Sequence, residues 1–511
     1  MTDGYGGTLG REPTRDRRPN TSRGPGDQRC SADQSSWCGS HRASPLFSAA
    51  DRGRFAGKPQ ISLVEICGSL SETGAEGSRG AHHKQSEAQM DDLRILNGHL
   101  IDPAADMDAV ADIAVRNGRV RAVGVLDAEP ARSVVDASGL LVIPGLVDLH
   151  THLHAGGTFW GMEPDPVAWY TGVTSWVDAG SVGAYGLAGL MEARKDFRVR
   201  SAILLHISAH GLAARTGESR DLSFLDVDAL VAAATKHPEE VRGIKVRMDA
   251  STVGDNGLEP LRIALRAGAA TALPVMVHIG SGPFTLDQIV DLLRPGDILT
   301  HCAGRGARGV TLPGPIRNSL RAAHERGVIF DIGHGAGGFS FEVAEAYLAQ
   351  SMPPHVISTD LHVLSASGPA FDLPTVMAKL QAIGMPLVDV VRATTSAPAA
   401  ALGLDAGTLT VGAPADIALF RRVDEAMEVG DVHGVARTAS ERLVNAATFV
   451  AGEYLPPTFP PAPPSWVSLS DAQRTALNAR ERRLRELLTD PLVPISGVAN
   501  QIPTTTAVNQ E

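Results

Sequence analysis

Between about residues 142 and 400 the chain alternates apolar runs with stretches of helical periodicity. Eight runs read as strands: "LLVIPGLVDLH", "VTSWVDAG", "SAILLHIS", "VRGIKVRM", "LPVMVHIG", "GDILTHC", "GVIFDIG" and "HVISTD". Stretches such as "DVDALVAAATKH" and "LEPLRIALRAG" lie between them and read as helices. Repeated strand–helix units imply a parallel sheet. Eight units over roughly 250 residues match an α/β fold of the (β/α)8 TIM barrel type. An open doubly wound sheet is the alternative, but no Gly-rich dinucleotide fingerprint follows an early strand.

The flanks carry a different pattern. Residues 91–145 contain "LRILNGHLIDP", "DIAVRNGRVRAVG" and "SVVDASGLLVIPG", short β-rich runs punctuated by glycine, with a hairpin turn at Asn117-Gly118. The same texture returns over 401–455 in "GTLTVGAPADIALFRRV" and "RLVNAATFVAGEYL". The expectation is a small composite β-sandwich domain built from both flanks of a barrel that spans 146–400. Residues 456–511 begin with the Pro-rich linker "PPTFPPAPPSWV". A capped helix follows, with Leu477, Leu484 and Leu488 to one side, which suits packing on the barrel or on another subunit; the last residues read as a disordered tail.

Composition narrows the function classes. The 511 residues are 43% hydrophobic, enough for a sizeable core, and carry a net charge of −11. Lys and Arg are spread thinly through the middle, so no concentrated basic face is available for nucleic acid. No apolar run approaches the roughly 18 residues of a membrane span. Four scattered cysteines (Cys30, Cys38, Cys67, Cys302) form no disulfide framework, which points to a reducing, cytoplasmic setting.

Candidate chemistry sits at the strand ends. In a barrel these converge on one mouth. The first strand ends in His150 and His152, the fourth carries Lys245, the fifth ends in His278, the sixth in His301 and the eighth in Asp360. Side chains at i and i+2 share a strand face about 6.6 Å apart. His150 and His152 can therefore lean onto one metal ion, and imidazole and carboxylate ligands suit zinc and similar divalent metals. Burial near metal cations lowers a lysine pKa. A neutral Lys245 amine can then react with carbon dioxide to give a carbamate able to bridge two metals; the competing reading is a salt bridge to a neighbour. Arg247 shares the face of Lys245 and serves either as a clamp for a carboxylate or oxyanion or as a packing arginine. Asp148 is expected to support a histidine from below, Asp178 to be structural and Cys302 to be packing. His154, His210 and His334 begin mouth loops, where substrate contact and loop hydrogen bonding are equally open.

"PGLVDLHTHLH", Lys245 on the fourth strand, His278, His301 and Asp360 in "STD" together resemble the amidohydrolase superfamily of metal-dependent hydrolases. "GTLTVGAPADIALF" resembles its small composite domain, and "GIKVR" with "DIGHGAGGFSF" resembles the deacetylase branch, near the dihydroorotase-like subgroup. The resemblance covers about 91–455. It implies two divalent ions, zinc by type. His150, His152 and Asp360 would hold one, His278 and His301 the other, and carboxylated Lys245 would bridge them. It further implies a metal-bridging hydroxide that cleaves an amide or ester, with Asp360 taking its proton. The implied substrate is a small molecule, an N-acyl or O-acyl acid. His154 stands where dihydroorotases usually carry an arginine, which argues against carbamoyl-aspartate chemistry. The rivals are a cyclic amidase of the dihydroorotase or hydantoinase kind and, in another class, a non-catalytic scaffold on the same fold. Deaminases on this scaffold lack the bridging lysine. A homo-oligomer is left open.

Residues 1–89 are rich in Gly, Ser, Arg and Pro, as in "REPTRDRRPNTSRGPGDQR". Such composition buries too little apolar surface to offset ordering entropy, so a disordered extension is expected. The strand pattern begins directly after Met90, which suggests an over-long start assignment, with a functional targeting arm as the alternative. Recovery of peptides from 1–89 in mass mapping of the natural protein would contradict that second expectation.

Overall fold

The computed structural model describes residues 90–305 and 315–489. The expected extension over 1–89 and the tail beyond 489 lie outside the described residues. Seven parallel strands follow one another in a single curled sheet: β6 (Leu146–Thr151), β7 (Val173–Gly183), β8 (Arg200–His206), β9 (Val241–Met248), β10 (Val275–Ile279), β11 (Ile298–Thr300) and β12 (Ile329–Asp331). The eighth stave, over 356–361, closes the barrel through two parallel bridges: Asp331 to Val356 and Thr151 to Leu361. Backbone bonds run on both sides of it, from Ile332 N to Val356 O (3.0 Å) and from His152 N to Leu361 O (2.9 Å). The fold is the expected (β/α)8 TIM barrel with a small β domain.

Every residue of β6 and β7 is buried, as strands covered on both faces require. From β8 onward the two faces separate by period 2. Ile203, Ile244, Val277, Leu299 and Ile357 pack outward under the helices. Leu204, Met276, Ile298 and Val356 fill the interior, and Leu402 of the helix Ser396–Leu402 joins them there.

The run "LLVIPGLVDLH", read as one strand, divides at Gly145. Its first part, β5 (Leu141–Pro144), belongs to the small sheet, and its second part opens the barrel. That small sheet takes β1 (Asp91–Asp102), β2 (Met107–Arg116), β3 (Arg119–Gly124) and β4 (Ala131–Asp136) from one flank. From the other flank come β13 (Ile417–Val423), β16 (Arg442–Val450) and β17 (Glu453–Tyr454). β14 (Met427–Gly430) and β15 (Ala436–Ala439) form a separate hairpin. Ile95, Ile113, Val142, Leu419 and Phe449 build the core of the small sheet. The terminal helix Asp471–Thr489 packs Leu484 at 3% exposure, and Arg480 on it donates to Ala366 O (2.8 Å).

Gly145 is where the chain passes from sheet to barrel, and a Cβ there would lie 2.1 Å from Thr174 Oγ1. Gly145→Ala is expected to lower the urea midpoint through an overpacking cost of about 1–3 kcal/mol. Gly430→Ala, which meets nothing within 4 Å, serves as the neutral control. Equal midpoints for the two variants would contradict the packing account.

Candidate metal centre

The interior face that is apolar in mid-barrel turns polar at the strand ends. Leu204 is followed two residues on by His206, Gly243 by Lys245, Met276 by His278 and Ile298 by Thr300. His301 and Asp360 sit just past strand ends with φ of 63° and 48°. A left-handed backbone at a non-glycine residue costs on the order of 1–3 kcal/mol and persists where the surroundings over-determine it. Glycines of "DIGHGAGG" let the backbone close on both. A Cβ at Gly335 would lie 2.3 Å from Asp360 Oδ2, and one at Gly338 would lie 2.4 Å from His301 Nδ1.

The six residues read as ligands come together. His150 Nε2 and His152 Nε2 lie 3.4 and 3.3 Å from Asp360 Oδ1. Lys245 Nζ is 2.8 Å from His150 Nε2, and His301 Nε2 is 2.8 Å from His278 Nδ1. The His150 and His301 rings are 5.2 Å apart, which joins the two halves. Donor atoms of His150, His301 and Asp360 all fall within 4.8 Å of one another.

The other sequence candidates are placed differently. Arg247 is 9% exposed, with Nε 3.1 Å from Glu218 Oε1 and its guanidinium 5.9 Å from the Trp160 ring. An interior carboxylate thus already faces it. His154 packs against the backbone at Gly157, where a Cβ would lie 2.1 Å from its Nε2. His210 contacts Ser208 Oγ (3.3 Å) and the edge of Phe224. His334 is wholly buried: Lys379 Nζ donates to its Nε2 (2.8 Å), and its Nδ1 donates to Gly335 O (2.9 Å). Of the two readings for His334, the structure takes loop hydrogen bonding. Asp148 supports a histidine only through the backbone, accepting from His150 N (3.4 Å), and does not orient a ring. Its carboxylate accepts from Thr359 N (3.0 Å) and Thr359 Oγ1 (2.5 Å), tying the first strand to the segment that carries Asp360. The reason is a register shift between Asp148 and Thr151, which breaks the simple alternation of faces. Asp178 accepts from Leu153 N and Ser181 N (both 2.8 Å), a structural role as expected. Cys302 is 1% exposed and packs in the core.

The Amidohydrolase family model matches residues 141–448. The chain belongs to the amidohydrolase family. The deacetylase Atu3266 of Agrobacterium fabrum is 35% identical over 352 residues, covering 66% of this chain and 86% of that protein. A solved structure described as an adenine deaminase superposes with a TM-score of 0.68 at 32% identity, over 71% of this chain and 99% of that one. Another, described as a dihydroorotase, superposes at 0.67 and 32% identity, over 72% and 99%.

The donor set of this amidohydrolase fits a metal ion. Thr300 Oγ1 donates to Asp331 Oδ2 (2.6 Å), so it accepts from His150 Nδ1 (2.8 Å), which leaves the lone pair on Nε2 inside the cluster. His301 Nδ1 donates to Gly333 O (2.5 Å), which likewise leaves its Nε2 for the cluster. His152 Nδ1 rests on Ser181 Oγ (3.0 Å). Burial, and then the neighbouring Lys245, push the His150 pKa well below the ordinary histidine value, so the ring is neutral as a ligand must be.

Three residues escaped the sequence reading. His206 ends its strand by the same rule that found His278, and it lies 3.7 Å from buried Glu218. His362, two residues past Asp360, faces Asp360 Oδ2 at 3.9 Å and meets Trp160 edge-on. Asp331 sits in the "FDIG" strand as an ordinary-looking carboxylate.

Partners that fix the far nitrogen of a ligating imidazole typically change metal affinity by about 10–100-fold when removed. Thr300→Val is expected to weaken metal binding by that factor in a chelator competition titration, with the far-ultraviolet circular dichroism retained. An unchanged affinity would contradict the role given to Thr300.

Proposed function

We propose that this amidohydrolase is a binuclear zinc deacetylase, hydrolysing an acetyl or similar small acyl group from an N-acyl or O-acyl acid. His150, His152 and Asp360 would hold one ion, His278 and His301 the other, and a carbamate on Lys245 would bridge them. The observation that carries the reading is Lys245 Nζ set 2.8 Å from a neutral imidazole nitrogen, inside the cluster of ligand-type residues. Burial, 1% exposure, pushes the Lys245 pKa down to about 7, opposed by the Asp360 and Asp331 charges. A substantial neutral fraction at physiological pH is what carbamate formation requires.

When bound, the ions would lower the pKa of water from about 15.7 towards about 7 and polarise the scissile carbonyl. The chain's own residues do the rest. Burial raises the Asp360 pKa, but interaction with the surrounding imidazoles, His150 and His362 foremost and the His152 hydrogen bond after them, outweighs it and holds the carboxyl well below the usual carboxylate range. Ionised Asp360 is therefore ready to accept the proton of the attacking water at Oδ2 and deliver it to the leaving nitrogen or oxygen. The Asp148–Thr359 bonds keep its segment in place. Arg247, against Trp160, would contact the substrate carboxylate or the oxyanion.

The acyl specificity rests on the likeness to a protein named a deacetylase. The likeness to a structure described as a dihydroorotase favours the cyclic-amidase reading as second choice. Within the same reading the substrate is a small molecule and the enzyme works in the cytoplasm, on the cysteine usage given above. None of the described helices is long and apolar enough to cross a membrane.

A screen of metal-analysed protein against acetylated acids and cyclic imides tests this. The expected result is two equivalents of zinc with acetate release, and Lys245→Ala losing bound metal and at least about 100-fold in kcat, in line with a transition-state loss of about 2.7 kcal/mol. Turnover confined to cyclic imides would transfer the assignment to a cyclic amidase. Metal-free, inactive protein would leave a scaffold.

A further inference from the structure

A second cavity, of about 790 Å³, opens between the terminal helix, the β14–β15 hairpin and the helix Leu373–Ala382 with the loop before it. No residue of the metal centre lines it. Phe371, Met427, Val429 and Ala476 give it apolar walls. Lys379 lines it while only 1% exposed, and the half-buried Arg483 lines it from the terminal helix.

Asp372 and Asp431 lie near Lys379, and Glu486 and Glu425 near Arg483, but among the described residues none of them forms an ion pair with either cation. Lys379 Nζ donates to Pro369 O (2.6 Å) and His334 Nε2 (2.8 Å), a carbonyl and a neutral imidazole. Among the described residues neither Lys379 nor Arg483 has a carboxylate in ion-pair contact. The carboxylates that line the cavity are engaged or turned outward. Asp372 caps its helix through Thr375 N (2.9 Å). Asp431 accepts from the backbone nitrogens of Phe341, His433 and Val435 (3.2, 2.8 and 2.9 Å). Glu428 is exposed. The third cation at the wall, Arg480, donates to Ala366 O.

A desolvated cation without a partner is costly, and an arriving anion removes that cost through charge-assisted hydrogen bonds. Cavities of several hundred Å³ with apolar walls and a few convergent polar groups are of the size that takes small organic ligands. We propose that this cavity is a second ligand site, binding a small organic anion whose carboxylate meets Lys379 and Arg483 and whose apolar body lies along Phe371, Met427 and Val429. The electrostatics agree. Burial lowers the Lys379 amine to about 7 despite Asp372 and Asp431, and burial with the neighbouring Arg442 lowers Arg483. A bound carboxylate would relieve both. The proposal stands apart from the deacetylase reading, since it uses no residue of the metal centre.

Calorimetric titration of the metal-loaded full chain with octanoate, octylamine and inorganic phosphate tests it. The expected result is one octanoate per chain, with affinity at least about tenfold above that of octylamine or phosphate. Arg483→Ala and Lys379→Met should each lose at least about tenfold, and Arg483→Lys should stay within about threefold of the unaltered protein. Should Lys379→Met fail to fold, the Arg483 pair decides by itself. Octanoate affinity unchanged in Arg483→Ala would place the ligand elsewhere, the metal centre included, and overturn the proposal. Octylamine or phosphate binding as tightly as octanoate would overturn it as well.

Discussion

Everything near the barrel mouth is arranged around one constraint: several buried nitrogen and oxygen donors must be held at contact distance. Lys245 Nζ faces His150 Nε2 at 2.8 Å, and His301 Nε2 faces His278 Nδ1 at the same separation. Such groups are desolvated, so in each pair either one nitrogen donates a proton to the other or a cation must lie between them. The surroundings supply rigidity in return. Thr300, Asp331 and Ser358 link three consecutive staves, with Thr300 and Ser358 each 2.6 Å from the Asp331 carboxylate. Asp148 bonds the eighth stave to the first, and Asp178 fixes both the chain after His152 and the end of β7 that carries Ser181. The His150, His152 and His301 imidazoles are thereby aimed from behind, by Thr300, Ser181 and the Gly333 carbonyl on or next to neighbouring strands.

The strand alternation was legible in the sequence because interior strands keep a face of period 2 whose last members are polar. A place on or at the end of a strand gathers His150, Lys245, His278, His301 and Asp360 from separate parts of the chain, although His301 follows Thr300 and so falls off the period-2 face. What depends on register was not legible. Nothing in "LLVIPGLVDLH" tells that Pro144 ends one sheet and Leu146 starts another, since both halves are equally apolar and only the close approach at Gly145 separates them. Asp148 looked like a support for a histidine because alternation was taken to continue past it, whereas the shift before Thr151 turns it towards Thr359. His334 looked like a mouth residue because its partner, Lys379, lies on a helix 45 residues away. Thr300 and Asp331 gave no signal of their own, because a threonine and an aspartate in apolar strands acquire meaning only when the strands are set side by side.

The barrel does not choose the substrate. Solved structures of nearly equal likeness are described as an adenine deaminase and a dihydroorotase, while a protein of 35% identity is named a deacetylase. The difference must lie in the mouth. There this chain places Trp160 between His362 and Arg247, and it balances Arg247 with the buried Glu218. Trp466 of the Pro-rich segment packs against Phe159 with its ring tilted by 33°, and Phe159 in turn meets Trp160. The segment after the small domain therefore contributes to the wall around the site, although it lies beyond the part matched by the family.

The central claim is that the donor cluster is a two-metal centre bridged through Lys245. A crystal structure of the metal-loaded protein, with anomalous scattering recorded on both sides of the metal edge, tests it most directly. The account predicts two anomalous peaks, one against His150, His152 and Asp360 and one against His278 and His301, with additional planar density on Lys245 Nζ reaching both. A bare Lys245 amine with no anomalous peak in the cluster would contradict it.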